Sequence, residues 1–301
     1  MPFQSPARRW LRGPLVLGMA MLLWPIVEWL ALTLSKPYSP FEVVWVRYGV
    51  HLMLMLALWT PGGPARLVRT RRPGLHVIRA LTMLGMPACF VLAITRMPLD
   101  AVMSLFWISP LVAMLLAAMW LGDRPGGRRW TSSAAAYGGV LFVLEPFALT
   151  LRWALILPLL MAACFALYLV LTRLMRGETA ASRLFYTALG VWVPLGLVVP
   201  WGWKTPTLRD FAIMASIGIL GFLFLLGLDV ALDAAPVGRL APFVLAQPIW
   251  IVLIDAIVGG RAPARHVVAG AVIVLGAWLV FAWPERRVRA RWERGDEPPA
   301  A

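Results

Sequence analysis

The sequence predicts an all-α integral membrane protein whose ten transmembrane helices form two inverted five-helix repeats. Three observations carry this expectation. Hydrophobic residues make up 61% of the 301 and charged residues only 14%, with mean hydropathy +0.79, well outside the balance of a soluble domain. The chain divides into ten apolar runs, each near the roughly 20 residues that a helix needs to cross the hydrocarbon core. Landmarks also recur at one ungapped offset: 138 residues after Pro98, Pro110, Gly122, Pro125 and Gly138 stand Pro236, Pro248, Gly260, Pro263 and Gly276.

The runs cover about 13 to 33, 40 to 60, 76 to 95, 100 to 121 and 130 to 149, then 153 to 172, 184 to 201, 210 to 231, 237 to 258 and 264 to 283. Their length and lack of strict alternation favour helices over a barrel. The first run carries Glu28 and no small-residue cleavage pattern, so a retained span is expected there. The expected organisation is one five-helix unit over 1–150, a second over 151–285 and a basic tail over 286–301. Five is odd, so a second copy must insert with the opposite topology. Each of the fourth and ninth runs carries a central proline, Pro110 or Pro248, that deletes a backbone hydrogen bond and should break its helix near mid-depth. Paired breaks in inverted halves are where membrane carriers place a substrate site.

Net charge +14 raises the question of nucleic acid, and the positions of the cations answer it. With the N-terminus inside, the inner connections and helix ends receive twenty Lys and Arg, Arg79 and Arg183 among them. The outer ones receive seven, and Arg47 is left within a helix. This is the positive-inside pattern. It places both termini in the cytoplasm of a bacterial cell with the protein in the inner membrane, and it argues against a nucleic-acid partner. Cys89 and Cys164 both fall in apolar runs, so neither a disulfide framework nor a cysteine metal site is implied. No GxSxG, HExxH, GxxxxGK[ST] or GxGxxG pattern occurs, and the three histidines are scattered. The sequence therefore suggests no enzyme, cofactor or metal. The expected partners are a small-molecule substrate and the lipid bilayer, with a second copy of the chain as a further candidate.

Ionisable groups inside a membrane need a partner, an aqueous cavity or a task. Glu28 and Arg47 lie at similar depth on consecutive helices, so the pair either bridges two helices or contacts a ligand. His51 follows Arg47 by four residues on the same face. It serves either as an interhelical hydrogen-bonding group or as a proton carrier. Asp255 lies near the outer end of the ninth run, as an exposed residue or a second proton site. Glu42, Asp100 and Asp210 stand at helix starts, where acids favour the helix dipole. Of 16 tryptophans, Trp10, Trp59, Trp130, Trp153, Trp201, Trp203 and Trp283 fall near span ends and fit an interfacial belt. Trp107 and Trp250 lie beside the two proline breaks, where a ring either packs between helices or stacks on a flat or cationic ligand. Ser104, Ser109 and Gln247 add polar atoms to the same segments. Substrate contact is thus expected from Trp107, Gln247, Trp250, Arg47 and Ser104, and coupling or gating from Glu28, His51, Asp255, Pro110 and Pro248.

The stretch from Arg79 to Pro146 resembles the core of the EamA-type drug/metabolite transporters. Its MPLDA turn (97–101), the Ser109-Pro110 pair, LGDR (121–124) and GGVLFVL (138–144) each match in place. The second half is similar through ALYLVLTR (166–173), Ala235-Pro236, Gln247-Pro248 and GAWLVF (276–281). The first half is most similar to the branch that includes S-adenosylmethionine uptake carriers. Asp123 stands where the family pattern has Glu, and Arg261 holds the equivalent place in the second half. The resemblance implies a five-plus-five inverted-repeat bundle around a central cavity. The expected function is secondary transport of a small metabolite by alternating access, proton-coupled or by exchange. The rivals are a lipid-carrier flippase and a membrane structural or assembly subunit that transports nothing.

Overall fold

The computed structural model describes residues 6–59, 63, 65–123, 125–144, 153–245, 247–260 and 263–282, except the side chains of 6–12, 65, 66, 251, 255, 258, 259, 281 and 282. Thirteen α-helices and two short 3-10 turns occupy these residues: α1 Pro6–Leu34, α2 Pro40–Trp59, α3 Ala65–Val68, α4 Pro73–Ile94, α5 Leu99–Phe106, α6 Ser109–Trp120 and α7 Gly127–Leu144, then α8 Ile156–Leu174, α9 Ala180–Val198, α10 Leu208–Ala234, α11 Val237–Val244, α12 Gln247–Gly259 and α13 Arg265–Ala282. No strand occurs among the described residues.

Among the described residues, eight helical stretches are long and apolar enough to cross a membrane: α1, α2, α4, α5 with α6, α8, α9, α10 and α11 with the start of α12. The expectation of ten is met in part. Helix α7 opens on Gly127, Arg128 and Arg129 and continues through Thr131, Ser132 and Ser133, which lowers its apolar content. The apolar part of α13, Arg265–Val280, is shorter than the other spans. These two helices pack on each other. Gly139 and Gly270 meet at their crossing, where a Cβ on Gly139 would lie 2.8 Å from the Gly270 carbonyl oxygen. Small residues allow this close backbone approach in a lipid-facing pair.

The two proline segments are broken helices. Helix α5 ends at Phe106, and α6 begins at Ser109 with Pro110 as its second residue. Likewise α11 ends at Val244, and α12 begins at Gln247 with Pro248 second. Each proline therefore starts a new helix, a position where its missing N–H costs nothing. Trp107 and Leu245, the C-caps of α5 and α11, have nearly the same dihedrals (φ −70°, ψ 0° and φ −69°, ψ −6°).

The local structure repeats at the sequence offset. Adding 138 to the bounds of α5 gives those of α11, and adding it to those of α7 gives those of α13. Gly122 and Gly260, also 138 apart, both adopt left-handed dihedrals, with φ +67° and +64°. That conformation suits glycine because it has no Cβ. Each ends the broken-helix unit before the helix that closes its half.

Candidate functional site

Most of the buried polar chemistry lies where α4 and α9 begin and α8 and α10 end; this is the arginine end of the bundle. Arg79, seven residues into α4, is fully buried, and each of its five N–H groups has an acceptor. Its Nε donates to Thr172 Oγ1 at 2.8 Å. One terminal nitrogen donates to the Arg183 carbonyl at 2.7 Å and to Thr187 Oγ1. The other donates to Tyr168 Oη at 2.6 Å and to Asp229 Oδ1 at 2.7 Å. Asp229 is also fully buried and accepts from Arg183 Nε at 3.0 Å. Arg183 reaches Asp233 at 2.6 Å and the carbonyls of Met175 and Glu178 at 3.1 and 3.0 Å. The Arg79 guanidinium also lies 4.3 Å from the centre of the Tyr168 ring. Two cations and two anions balance, and the fork geometry of arginine joins α4, α8, α9 and α10 in one network.

Arg79 and Arg183, expected among the topogenic cations of inner connections and helix ends, are instead both buried within helices as members of an ion network. Asp229, Asp233, Tyr168, Thr172 and Thr187 complete the network and are not among the residues expected from the sequence. The signal was available, because Asp229 lies inside the apolar run 210–231 and Asp233 follows at the four-residue helical spacing.

A second cluster joins α1, α2 and α10. Glu28 accepts from Trp24 Nε1 at 2.7 Å. The Arg47 guanidinium lies 5.0 Å from the Trp24 ring centre and 5.1 Å from that of Tyr48. Of the two alternatives for Glu28 and Arg47, the direct bridge is not formed among the described residues: Trp24 stands with both groups, giving the acid an N–H donor and the cation an aromatic face. His51 is 1% exposed, with its Nε2 lacking a hydrogen-bond partner. Its ring stacks near Tyr48 at 5.9 Å and meets Phe222 edge-on at 5.0 Å. Of the two alternatives for His51, an interhelical hydrogen bond is not made through Nε2 among the described residues.

At the opposite end, where α2 begins and α9 finishes, tryptophans gather. Trp45 stacks on Trp192 at 5.4 Å and meets Trp203 edge-on at 5.7 Å. Trp203 is thus engaged with Trp45 as well as lying near a span end. A cleft of about 320 Å³ opens there, lined by Trp45, Gly196, Val199, Pro200 and Trp203. Tyr38, in the connection before α2, donates to Asp210 Oδ2 at 2.8 Å, and this bond pushes its hydroxyl above the ordinary tyrosine range. Asp210 also bonds Thr207, whose side chain caps α10.

Of the residues expected beside the breaks, Trp107 is 2% exposed and packs on Phe106 at 5.0 Å in the main core. Ser104 Oγ donates to the Asp100 carbonyl of its own helix at 2.6 Å. Gln247 is buried at the start of α12, and Trp250 is half-buried in its first turn. No ring contact joins Trp107 to Trp250 among the described residues. The side chain of Asp255 lies outside the described residues. Asp123 accepts from the Gly238 amide at 3.1 Å, so this acid joins the end of one broken helix to the start of the other.

Known proteins are similar to this chain. Residues 11–145 match the EamA-like transporter family. A riboflavin transporter of Rhizobium johnstonii is 29% identical over 88% of this chain and 88% of its own length. An S-adenosylmethionine uptake transporter of Rickettsia bellii is 23% identical over 83% of this chain and 86% of its own. A riboflavin transporter of Vibrio cholerae is 23% identical over 93% of this chain and 96% of its own. A solved crystal structure of another protein superposes with TM-score 0.79, at 17% identity, over 91% of this chain and 98% of that one; it shows the fold alone. The chain is a multi-pass membrane protein whose first half matches the EamA-like transporter family and which is similar to transporters along most of its length.

Proposed function

We propose that this protein is a secondary transporter that carries a small nitrogenous metabolite across a bacterial inner membrane by alternating access. The observation that carries the reading is the recurrence of the broken-helix unit, with α5 and α7 repeated in bounds by α11 and α13 and each unit ending on a left-handed glycine. Two copies of one unit, over 1–150 and 151–285, give one fold two near-equivalent packings when the second is inverted across ten passes. The relatives carry riboflavin and S-adenosylmethionine, and both molecules hold nitrogen heterocycles. A related substrate suits the aromatic groups along α2.

With both termini cytoplasmic, the arginine end faces inward and the tryptophan end faces outward. The Arg79–Asp229–Arg183–Asp233 network then closes the inner side in this conformation. The substrate passes from the tryptophan end along Arg47, Tyr48 and His51 toward that network. Trp107 and Gln247 sit at the breaks that rearrange as the halves rock, with Ser104 and Trp250 beside them. Glu28, His51 and Asp255 are the groups through which a proton would couple.

The test is uptake by purified protein in liposomes. Riboflavin and S-adenosylmethionine, each radiolabelled, are offered under proton, sodium and counter-substrate gradients. Saturable uptake of either supports the reading. No uptake of either under any gradient, by protein shown to be folded, would overturn it.

A further inference from the structure

Arg47 is an intramembrane cation without an anion. It lies about 10 Å along α2 from Pro40, at 1.5 Å per residue. It forms no salt bridge and no side-chain hydrogen bond among the described residues. Glu28, the acid that shares Trp24 with it, is bonded to the indole N–H. Rings and backbone position the guanidinium instead. The Trp24 ring of α1 and the Tyr48 ring lie 5.0 and 5.1 Å from it. On α10 it rests against Gly221, where an added Cβ would come within 2.7 Å of Nε and 3.2 Å of one terminal nitrogen. These contacts hold the group without using its N–H donors. The side chain is half-buried and none of its nitrogens is enclosed by protein, so the unused fork opens onto space. One turn further on the same face of α2, Nε2 of the buried His51 also lacks a partner.

An unpaired charge inside a membrane is costly unless a ligand or an aqueous cavity compensates it. A guanidinium with a free fork takes an oxyanion through two parallel N–H···O bonds. We infer that Arg47 recognises an oxyanion, a carboxylate or a phosphate, carried by the transported metabolite. Trp24, Tyr48 and Gly221 already hold the fork, which lowers the ordering cost of binding. A lipid headgroup phosphate offers the same chemistry to an arginine that snorkels toward the surface. The seat of the guanidinium between Trp24 of α1 and Gly221 of α10 favours an anion that enters the bundle. The inference deepens the transporter reading and rests on it only for calling the anion a substrate.

Binding is measured without transport, by titration calorimetry on the whole chain in phosphatidylcholine nanodiscs and in dodecyl maltoside micelles, which carry no phosphate. The probes are two matched pairs: nicotinate with nicotinamide, and riboflavin 5′-phosphate with riboflavin. In at least one pair the oxyanion binds at least about tenfold more tightly than its uncharged partner, and the pair that shows it tells carboxylate from phosphate. Arg47→Gln abolishes this preference. Arg47→Lys keeps the charge without the fork and retains only part of it, and it serves as the second variant if Arg47→Gln does not fold. Equal affinities within both pairs, no binding of any probe, or a preference that neither variant reduces would overturn the site. Anion binding seen in micelles and lost in nanodiscs would assign Arg47 to lipid headgroups and overturn it as a substrate contact. Failure of metabolite uptake with the anion preference intact would instead count against the transporter reading alone.

Discussion

Where α4 and α9 begin, every N–H of the Arg79 guanidinium has an acceptor, and Asp229 divides its two oxygens between two arginines. Where α2 begins, the indole N–H of Trp45 is buried with no hydrogen-bond partner among the described residues. Both ends hide polar atoms from solvent, but only one completes their hydrogen bonds. A completed network is rigid and closes a path, because moving any member strands a charge in low dielectric. An incomplete set holds its helices weakly, and a molecule from outside can complete it. In a transporter these are the properties of a shut side and of a side prepared for substrate.

The largest effect should come from removing the centre of the completed network. Asp229→Ala leaves two buried guanidinium groups without their anion and should cost about 3–5 kcal/mol, read as a large fall in thermal stability in detergent. A variant as stable as the parent would break the comparison. Arg79→Lys keeps the charge and loses the five-donor fork. It should destabilise less, by about 1–3 kcal/mol, and shift cysteine accessibility toward the inner side. Asp233→Asn acts at a half-exposed position. Its stability loss should be about 0–1 kcal/mol, with faster opening of the arginine end as its main readout. At the incomplete set the sign reverses: Trp45→Phe removes an unsatisfied donor, so stability should change by less than about 1 kcal/mol while uptake of substrate falls. A Trp45→Phe protein destabilised as strongly as Asp229→Ala would show that the tryptophan end is held together by the same means as the arginine end.

The sequence made the helices legible because apolar run length and the proline and glycine landmarks are local signals. Pro110 and Pro248 marked the breaks, and Gly122 and Gly260 marked their ends. The candidate site was less legible, because its decisive contacts join residues far apart in the chain. Arg79 reads as one more cation near a basic connection until Asp229 is brought beside it. Glu28 and Arg47 read as intramembrane charges, but what each meets depends on Trp24, which is four residues from Glu28 and lies under Arg47 only after α1 packs on α10 and α10 on α2. Trp203 reads as an interfacial tryptophan from its place near a span end, and its meeting with Trp45 depends on the approach of α9 to α2. Periodicity identifies a helix, whereas the residue on which a side chain lands is settled by tertiary packing.

The bond from Arg79 to Asp229 spans 150 residues of chain. At roughly 5–20 residues per second of synthesis, the arginine emerges about eight to thirty seconds before its carboxylate has been made. During that interval α4 stands in or beside the bilayer with an uncompensated guanidinium, and α9 joins it with Arg183 before α10 arrives. The first half therefore cannot reach its final packing alone. Insertion of α10 is the step that commits the whole chain, which makes assembly of this protein a single late event.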